Sequence, residues 1–516
     1  MTADTGVQRI SKQKKAALTM ILVVTAALAV HLISALAHLD HSLTLITYPV
    51  TLDYGEGPIL YQIDAVSNGE SMYGPINEIP YAVGNYPPVY HFASWFMTAF
   101  IDDLMSAGRL VSFLAALGSG LLVFTLIYSL PGHGHSPAVR AFGGILAALF
   151  FLNQYTIFLW SVTARVDTLA LMLGLLGMQL FILSIDRKNL AYWFGLAFVL
   201  SVFTKQNMIA AAIATFATAF LIDRRQTYIA FTISVLAGII GLAITYATYG
   251  EQFFLHVFSY NLNNFHWDLF LENISKLFLW RPAELLMLLF GPAYLFMRRQ
   301  RPTAIPGGRE TSPDISLVLF SGFMAASLLN VIASGKTGSG FNYFIEFEAA
   351  GALLVGLITV RATTFVNSRG LNPEHAKHRR LIYLGLFILC FQTSFGWVTK
   401  HNDIKEDGIS SAQRVMELVA SVDGPVISED MALLHRTGKP LLFQPFIMTQ
   451  MVLEKRWNPT QLIDSLRRGE VDMIVLTSDI ESETHQDRFF AAFTEIIETR
   501  YRLLEETGSF LVYVPL

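Results

Sequence analysis

The sequence predicts an α-helical polytopic membrane protein, with about eleven transmembrane helices, one interfacial helix and a C-terminal extracytoplasmic α/β domain. Three observations predict it. Hydrophobic residues make up 53% of the 516 residues and charged residues only 15%, leaving more long apolar runs than a soluble core can absorb. Basic clusters at Lys12–Lys15, Arg187–Lys188, Arg224–Arg225, Arg298–Arg301 and Lys377–Arg380 all fall on the cytoplasmic side if eleven segments cross the membrane. From Lys400 onward, short strand-like runs and amphipathic helices replace the apolar stretches. A net charge of −4 gives no electrostatic footprint for nucleic acid, and the single Cys390 excludes an intrachain disulfide or a thiolate cluster.

The first span, Ala16–Leu39, follows Lys12–Lys15 and reads as an uncleaved signal anchor, because its apolar stretch outruns a secretory h-region. An outer loop, 40–85, comes next. Tyr86–Leu104 is apolar and opens on Tyr86–Pro87–Pro88–Val89–Tyr90. Counting it as a span would put every later basic cluster outside, so it reads as an interfacial helix over 86–104. Spans follow at Gly108–Leu130, Ala141–Trp160 and Asp167–Ile185. Leu190–Phe203 and Met208–Leu221 are each too short to cross, which predicts a hairpin. Its turn, Thr204–Lys205–Gln206–Asn207, stops below the outer surface, and backbone at that depth implies a cavity. Tyr228–Tyr249, Ser275–Met297, Ile315–Ala333, Phe341–Val360 and Leu381–Val398 complete the set, with Gln300–Asp314 as a linker. Residues 1–399 thus form the membrane domain and 400–516 the soluble one. In the latter, strands Pro425–Ser428, Met473–Thr477 and Phe510–Val514 alternate with helices Ser410–Ser421, Pro459–Arg468 and Arg488–Arg500, indicating a largely parallel sheet.

Charged groups gather on the outer face. Asp53–Tyr54–Gly55–Glu56–Gly57 lies just after the first span, and Gly57–Pro58 reads as a helix start with Pro at the first position. Both carboxylates would precede that helix, whose N-terminus favours their ionised forms. An ionised Asp there can accept a proton from a hydroxyl; otherwise the pair caps the helix and keeps the loop solvated. Arg165–Val166–Asp167 begins a span, and Lys205–Gln206 occupies the hairpin turn. The turn Gly338–Ser339–Gly340–Phe341–Asn342–Tyr343 carries Glu346 and Glu348 one turn deeper, as counterions or as substrate ligands. Glu429 and Asp430 follow a strand end, where ligand sites lie in parallel sheets, but read better as surface loop acids. Gly335–Lys336–Thr337 lacks the first glycine and the preceding strand of a phosphate-binding loop and is set aside.

These residues, in this order, resemble the GT-C superfamily of integral-membrane glycosyltransferases, in particular protein O-mannosyltransferases and the lipid A aminoarabinose transferase. The shared pattern is an acidic motif in the first outer loop, a Pro-Pro-aromatic opening of a juxtamembrane helix, an Arg at the next span (Gly108–Arg109–Leu110), an Arg-x-Asp turn and an outer soluble domain. The family's adjacent Asp-Glu is here split as Asp53-x-x-Glu56, which leaves both as candidate bases. The resemblance implies a hexosyl or pentosyl transferase. It would use a polyprenyl-phosphate-linked sugar donor and invert the anomeric centre on transfer to a hydroxyl of a glycan, lipid or protein. Asp53 and Glu56 are then catalytic, and Tyr86, Arg165, Asp167, Lys205, Gln206, Asn342 and Tyr343 bind substrate. No cofactor is expected; a divalent metal through the two carboxylates is the disfavoured variant. The expected location is a bacterial inner (plasma) membrane, multi-pass, with the active site and C-terminal domain extracytoplasmic. The alternative is a polytopic transporter or lipid flippase, which broken hairpin helices also suit.

Overall fold

The computed structural model describes residues 25–26, 28–131, 135–280, 314–368 and 406–516. The clusters Lys12–Lys15, Arg298–Arg301 and Lys377–Arg380, most of Ser275–Met297, all of Leu381–Val398, nearly all of Gln300–Asp314, Cys390 and the boundary at 399/400 lie outside them. The architecture is that of a polytopic helical membrane protein with a small C-terminal sheet. Among the described residues six helices are long and apolar enough to cross a membrane: Leu28–Ile46, Leu104–Tyr128, Asp167–Ser184, Arg224–Tyr249, Ile315–Ala333 and Phe341–Thr364. A seventh is the pair Pro137–Leu152 and Tyr155–Ser161, bent by 68°. The segment expected to span at Ala141–Trp160 is broken by this bend. Gln154 takes an extended backbone between the two helices, and Asn153 Nδ2 donates to the His31 carbonyl (3.1 Å), fixing the break against the first helix.

Local sequence explains the other boundaries. Helix Leu104–Tyr128 starts four residues before the expected Gly108 because Asp103 caps it, its Oδ2 accepting from the Ser106 amide (2.8 Å) and hydroxyl (2.6 Å). Helix Ile345–Ser368 sits at the centre of the bundle. It meets Pro137–Leu152 closely enough that a Cβ at Gly143 would lie 3.0 Å from the Gly356 carbonyl, a crossing that small residues permit. By contrast Arg224–Tyr249 buries only Thr227, Ala230 and Thr245 and presents apolar side chains outward, as a lipid-facing helix does.

The short arms form the expected hairpin. Ala191–Val202 and Ala210–Ile222 are 12 and 13 residues long. At 1.5 Å per residue each spans roughly 20 Å, well short of a ~30 Å hydrocarbon core. Lys188, Ala191, Ala219, Ile222 and Asp223 converge at one end, so the second arm returns to the side where the first began. The nine-residue helix Val89–Met97 is too short to cross and exposes Phe92, Trp95 and Phe96, which suits a headgroup-level position.

The C-terminal sheet has the order β1 (Val426–Ser428), β2 (Met473–Leu476), β4 (Phe510–Pro515), β3 (Tyr501–Thr507). Only β1 and β2 pair in parallel; β2–β4 and β4–β3 are antiparallel, so the largely parallel sheet is corrected to a mixed one. The unexpected strand is β3. A bulge at Leu503/Glu505 breaks its alternation, and the hairpin closes at Gly508, whose φ of +59° is cheap only for glycine. The helix expected over Arg488–Arg500 is present as Ala491–Arg500; a short helix, Glu483–Arg488, precedes it, and Phe489 and Phe490 run extended into the core between them.

This domain is locked onto the first outer loop. Tyr81 N donates to Leu442 O (2.8 Å) and Gln444 N to Tyr81 O (2.9 Å), while Ile76, Tyr81 and Val83 share a core with Phe443, Ile447 and Trp457. His256, in the π-turn Leu255–Ser259, ties a different segment to the same loop. Its Nδ1 accepts from Gly84 N (2.8 Å) and its Nε2 donates to Gly74 O (2.7 Å), which fixes the neutral tautomer. Burial pushes its pKa down to about 4, opposed by the Gly74 bond, with no charged side chain contributing. The folded state therefore binds fewer protons than the unfolded one between about pH 6.5 and 4, and stability is lost as pH falls through that window. Thermal unfolding of the detergent-solubilised protein should show a loss of roughly 2–3 kcal/mol over this range that His256→Gln does not share. Parallel pH profiles for the two proteins would contradict the assignment.

Candidate active site

The hairpin turn, the first outer loop, the 334–343 turn and the C-terminal domain enclose one cavity of about 810 Å³. Asp53, Tyr86, Arg165, Lys205, Gln206, Asn342 and Tyr343 all line it. Glu56 and Asp167 do not.

Each polar group is positioned by its neighbours. Arg165 Nη1 donates to Asp53 Oδ1 (2.7 Å), which also accepts from Gly55 N (3.0 Å). Gly55 is required here, since a Cβ would sit 1.3 Å from Arg165 Nη1. Asp53 Oδ2 has no partner among the described residues, and the side chain is 39% exposed. Asp53 is thus held by one oxygen and available through the other. Lys205 Nζ donates to Asp167 Oδ1 (2.5 Å) and lies 5.1 Å from the centre of the Tyr343 ring. Asn342 Nδ2 donates to the same Asp167 oxygen (2.9 Å), and Arg165 Nε lies 3.9 Å from Asp167 Oδ2. Asp167 is fully buried behind the cavity wall and orients both cations, so its expected direct contact with substrate is corrected. Gln206 Nε2 donates to the carbonyls of Asn85 (3.1 Å) and Val257 (3.3 Å), tying the hairpin turn to the outer loops.

Glu56 is corrected more strongly. The helix begins at Glu56 itself, with Pro58 two residues in, so the carboxylate does not sit in a solvated turn. It is fully buried and receives Arg109 Nε and Nη2 (both 2.8 Å), Leu52 N (2.7 Å) and Ala164 N (2.7 Å). Arg109 completes the clamp on the carbonyls of Leu45, Tyr48 and Val50. Every lone pair is engaged and no face reaches the cavity, so Glu56 is neither a base nor an acceptor ligand. The loop conformation that places Asp53 rests on this pair.

Asn330 Nδ2 donates to Glu346 (2.6 Å) and Thr156 Oγ1 to Glu348 (2.9 Å). Glu429 and Asp430 are buried, not surface acids. Glu429 is ion-paired with Arg488, and Asp430 accepts from Thr51 Oγ1 (2.8 Å). Asp53 and Asp167 are each held by a cation already, and among the described residues no three His, Cys, Asp or Glu side chains converge on a metal site.

Sequence reasoning missed the wall built by the C-terminal domain. Arg488 lies over the Tyr54 ring at 4.5 Å, Phe446 N donates to the Tyr54 hydroxyl oxygen (2.9 Å), and Gln444, Thr484 and Asp487 line the cavity with them. Lys336 was also missed, because its turn was tested only as a phosphate-loop motif. Arg488 carried no signal, since its site exists only once the C-terminal domain packs on the loop that carries Tyr54. Lys336 offered one, a lysine in a turn between two apolar helices.

No protein-family model matches the chain, and no curated protein does. Solved structures do. The fold is similar to that of ArnT from Cupriavidus metallidurans bound to undecaprenyl phosphate, at 12% identity and a TM-score of 0.56, over 96% of this chain and 98% of that one. The apo form of that protein matches at 12% identity and a TM-score of 0.55, over 97% of this chain and 98% of that one. The Archaeoglobus fulgidus oligosaccharyltransferase tethered with an acceptor peptide matches at 12% identity and a TM-score of 0.51, over 95% of this chain and 74% of that one. These likenesses, all at 12% identity, show a shared fold.

Proposed function

We propose that the protein is a glycosyltransferase that moves a hexosyl or pentosyl group from a polyprenyl-phosphate donor to a hydroxyl acceptor at the extracytoplasmic membrane face. The observation that carries this reading is the cavity itself, which gathers one available carboxylate, Asp53, with two oriented cations, Arg165 and Lys205. In a single displacement the acceptor oxygen attacks the anomeric carbon and its proton passes to Asp53 Oδ2. The bond from that carbon to the phosphate oxygen breaks, and its electron pair leaves with polyprenyl phosphate. Arg165 and Lys205 offset the charge that develops on the phosphate, which makes a general acid unnecessary. Attack opposite the leaving group inverts the centre.

The charge at the hairpin's open end supports the proposed sidedness. Lys188 and Asp223, beside Arg187, Arg224 and Arg225, mark the end away from the cavity. By the positive-inside rule this charge supports a cytoplasmic position for that end and an outer position for the cavity; the membrane proposed is a bacterial inner membrane. The fold shared with ArnT bound to undecaprenyl phosphate supports a lipid-linked donor.

The test is turnover. Purified protein is incubated with a panel of polyprenyl-phosphate sugars and acceptors, and release of free polyprenyl phosphate is measured. Release with at least one donor is expected. A transporter or flippase would instead move lipid across vesicles without cleaving it, and that result would overturn the proposal.

A further inference from the structure

The cavity holds four cationic side chains, and three have a carboxylate: Arg165 has Asp53, Lys205 has Asp167 and Arg488 has Glu429. Lys336 has none. Among the described residues its Nζ makes one contact, donating to the Asn261 carbonyl (3.1 Å). A partly buried ammonium is costly to keep without a counterion. Burial accordingly pulls its pKa below the usual lysine value, with no opposing charge.

The position is built. Phe265 and Lys336 form an antiparallel bridge, flanked by His266 N to Gly335 O (2.8 Å) and Thr337 N to Asn264 O (2.9 Å). The turn and the 261–267 loop therefore form one rigid unit. It sits close to the reacting groups. Asn261 Nδ2 and Gln206 Nε2, the latter next in sequence to Lys205, donate to the same carbonyl, that of Asn85 (3.2 and 3.1 Å). On its outer side the same unit is apolar and uncovered: Leu262 is 68% exposed, Trp267 70% and Leu271 59%. Phe265 and Trp267 pack edge to face at 5.2 Å, an aromatic edge of the kind found at headgroup depth.

We infer that Lys336 supplies the missing charge for the phosphate of the lipid-linked donor, with the Leu262–Phe265–Trp267 edge as the portal through which the polyprenyl chain passes between bilayer and cavity. An isoprenoid phosphate is the occupant that satisfies both halves, an anion for the unpaired ammonium and an apolar chain for the exposed edge. The inference rests on the proposed lipid-linked donor. Lys336 is a binding residue in this scheme, not the base.

The test measures binding of undecaprenyl phosphate, undecaprenol and inorganic phosphate to the full-length protein in nanodiscs. Wild type should bind undecaprenyl phosphate. Lys336→Ala should weaken that binding about tenfold to a hundredfold, and Lys336→Arg should restore most of it. Undecaprenol binding should be the same in wild type and Lys336→Ala, and inorganic phosphate should compete only weakly. Equal affinity of wild type and Lys336→Ala for undecaprenyl phosphate overturns the inference and leaves the transferase reading standing. So does a parallel loss of undecaprenol binding, which would mean damaged packing. Inorganic phosphate competing as well as the lipid overturns the portal. No binding of undecaprenyl phosphate by wild type overturns the donor class itself.

Discussion

Arg109→Met should fail to give a stably folded protein, with a loss of about 3–5 kcal/mol. The side chain is fully buried and its five donors are spread over Glu56 and the carbonyls of Leu45, Tyr48 and Val50. Removing it leaves a buried carboxylate without a counterion and three carbonyls without donors. Pairing the change with Glu56→Leu removes the lone charge but should not rescue the fold. The amides of Leu52 and Ala164 then lose their acceptor as well, each at about 1–3 kcal/mol. Glu56→Gln is the milder change, since an amide oxygen still accepts from part of this set. Yield of monodisperse protein and unfolding temperature in detergent check the order: wild type, then Glu56→Gln, then the double variant and Arg109→Met. An Arg109→Met protein as stable as wild type would show that the clamp contributes nothing.

Asp53→Asn should cut the transfer rate by roughly 10²–10⁴-fold while leaving fold and donor affinity close to wild type. The amide oxygen can still accept from Arg165 Nη1 and Gly55 N, so the loop keeps its shape. What is lost is the second oxygen as a proton acceptor. Asp53→Ala is the poorer experiment, because it also strips Arg165 of its counterion and confounds base loss with electrostatic disorder. The readouts are single-turnover transfer and donor binding on the same preparation. Full turnover by Asp53→Asn would remove Asp53 as the base. A collapse of donor binding with it would make Asp53 a binding residue instead.

Features set by local length and polarity were legible: the two short arms as a hairpin, Lys205 at its turn, and Tyr86–Leu104 as a segment that does not cross. Asp53, Arg165 and Lys205 could be grouped because topology alone puts their turns on one side. The roles of Asp53 and Glu56 could not be separated, since both are acids in a glycine-rich stretch. Arg109, 53 residues on, decides between them by capturing Glu56. Asp167 looked like a ligand for the same reason and proved to be the anchor of Lys205 and Asn342. The mixed sheet was hidden by the bulge in β3, which spoils the alternation a strand is read from. The cavity wall of Tyr54, Phe446 and Arg488 depends on docking of the C-terminal domain onto the first loop, a contact across more than 390 residues of chain that no local pattern encodes.

One structure tests the central idea most directly, that of the protein in nanodiscs with a polyprenyl phosphate bound. The phosphate should lie inside the cavity between Lys205 and Arg165, within reach of an acceptor oxygen held at Asp53, with the chain leaving toward the bilayer. A phosphate seated outside that cavity, or separated from Asp53 by the C-terminal wall, would contradict the account.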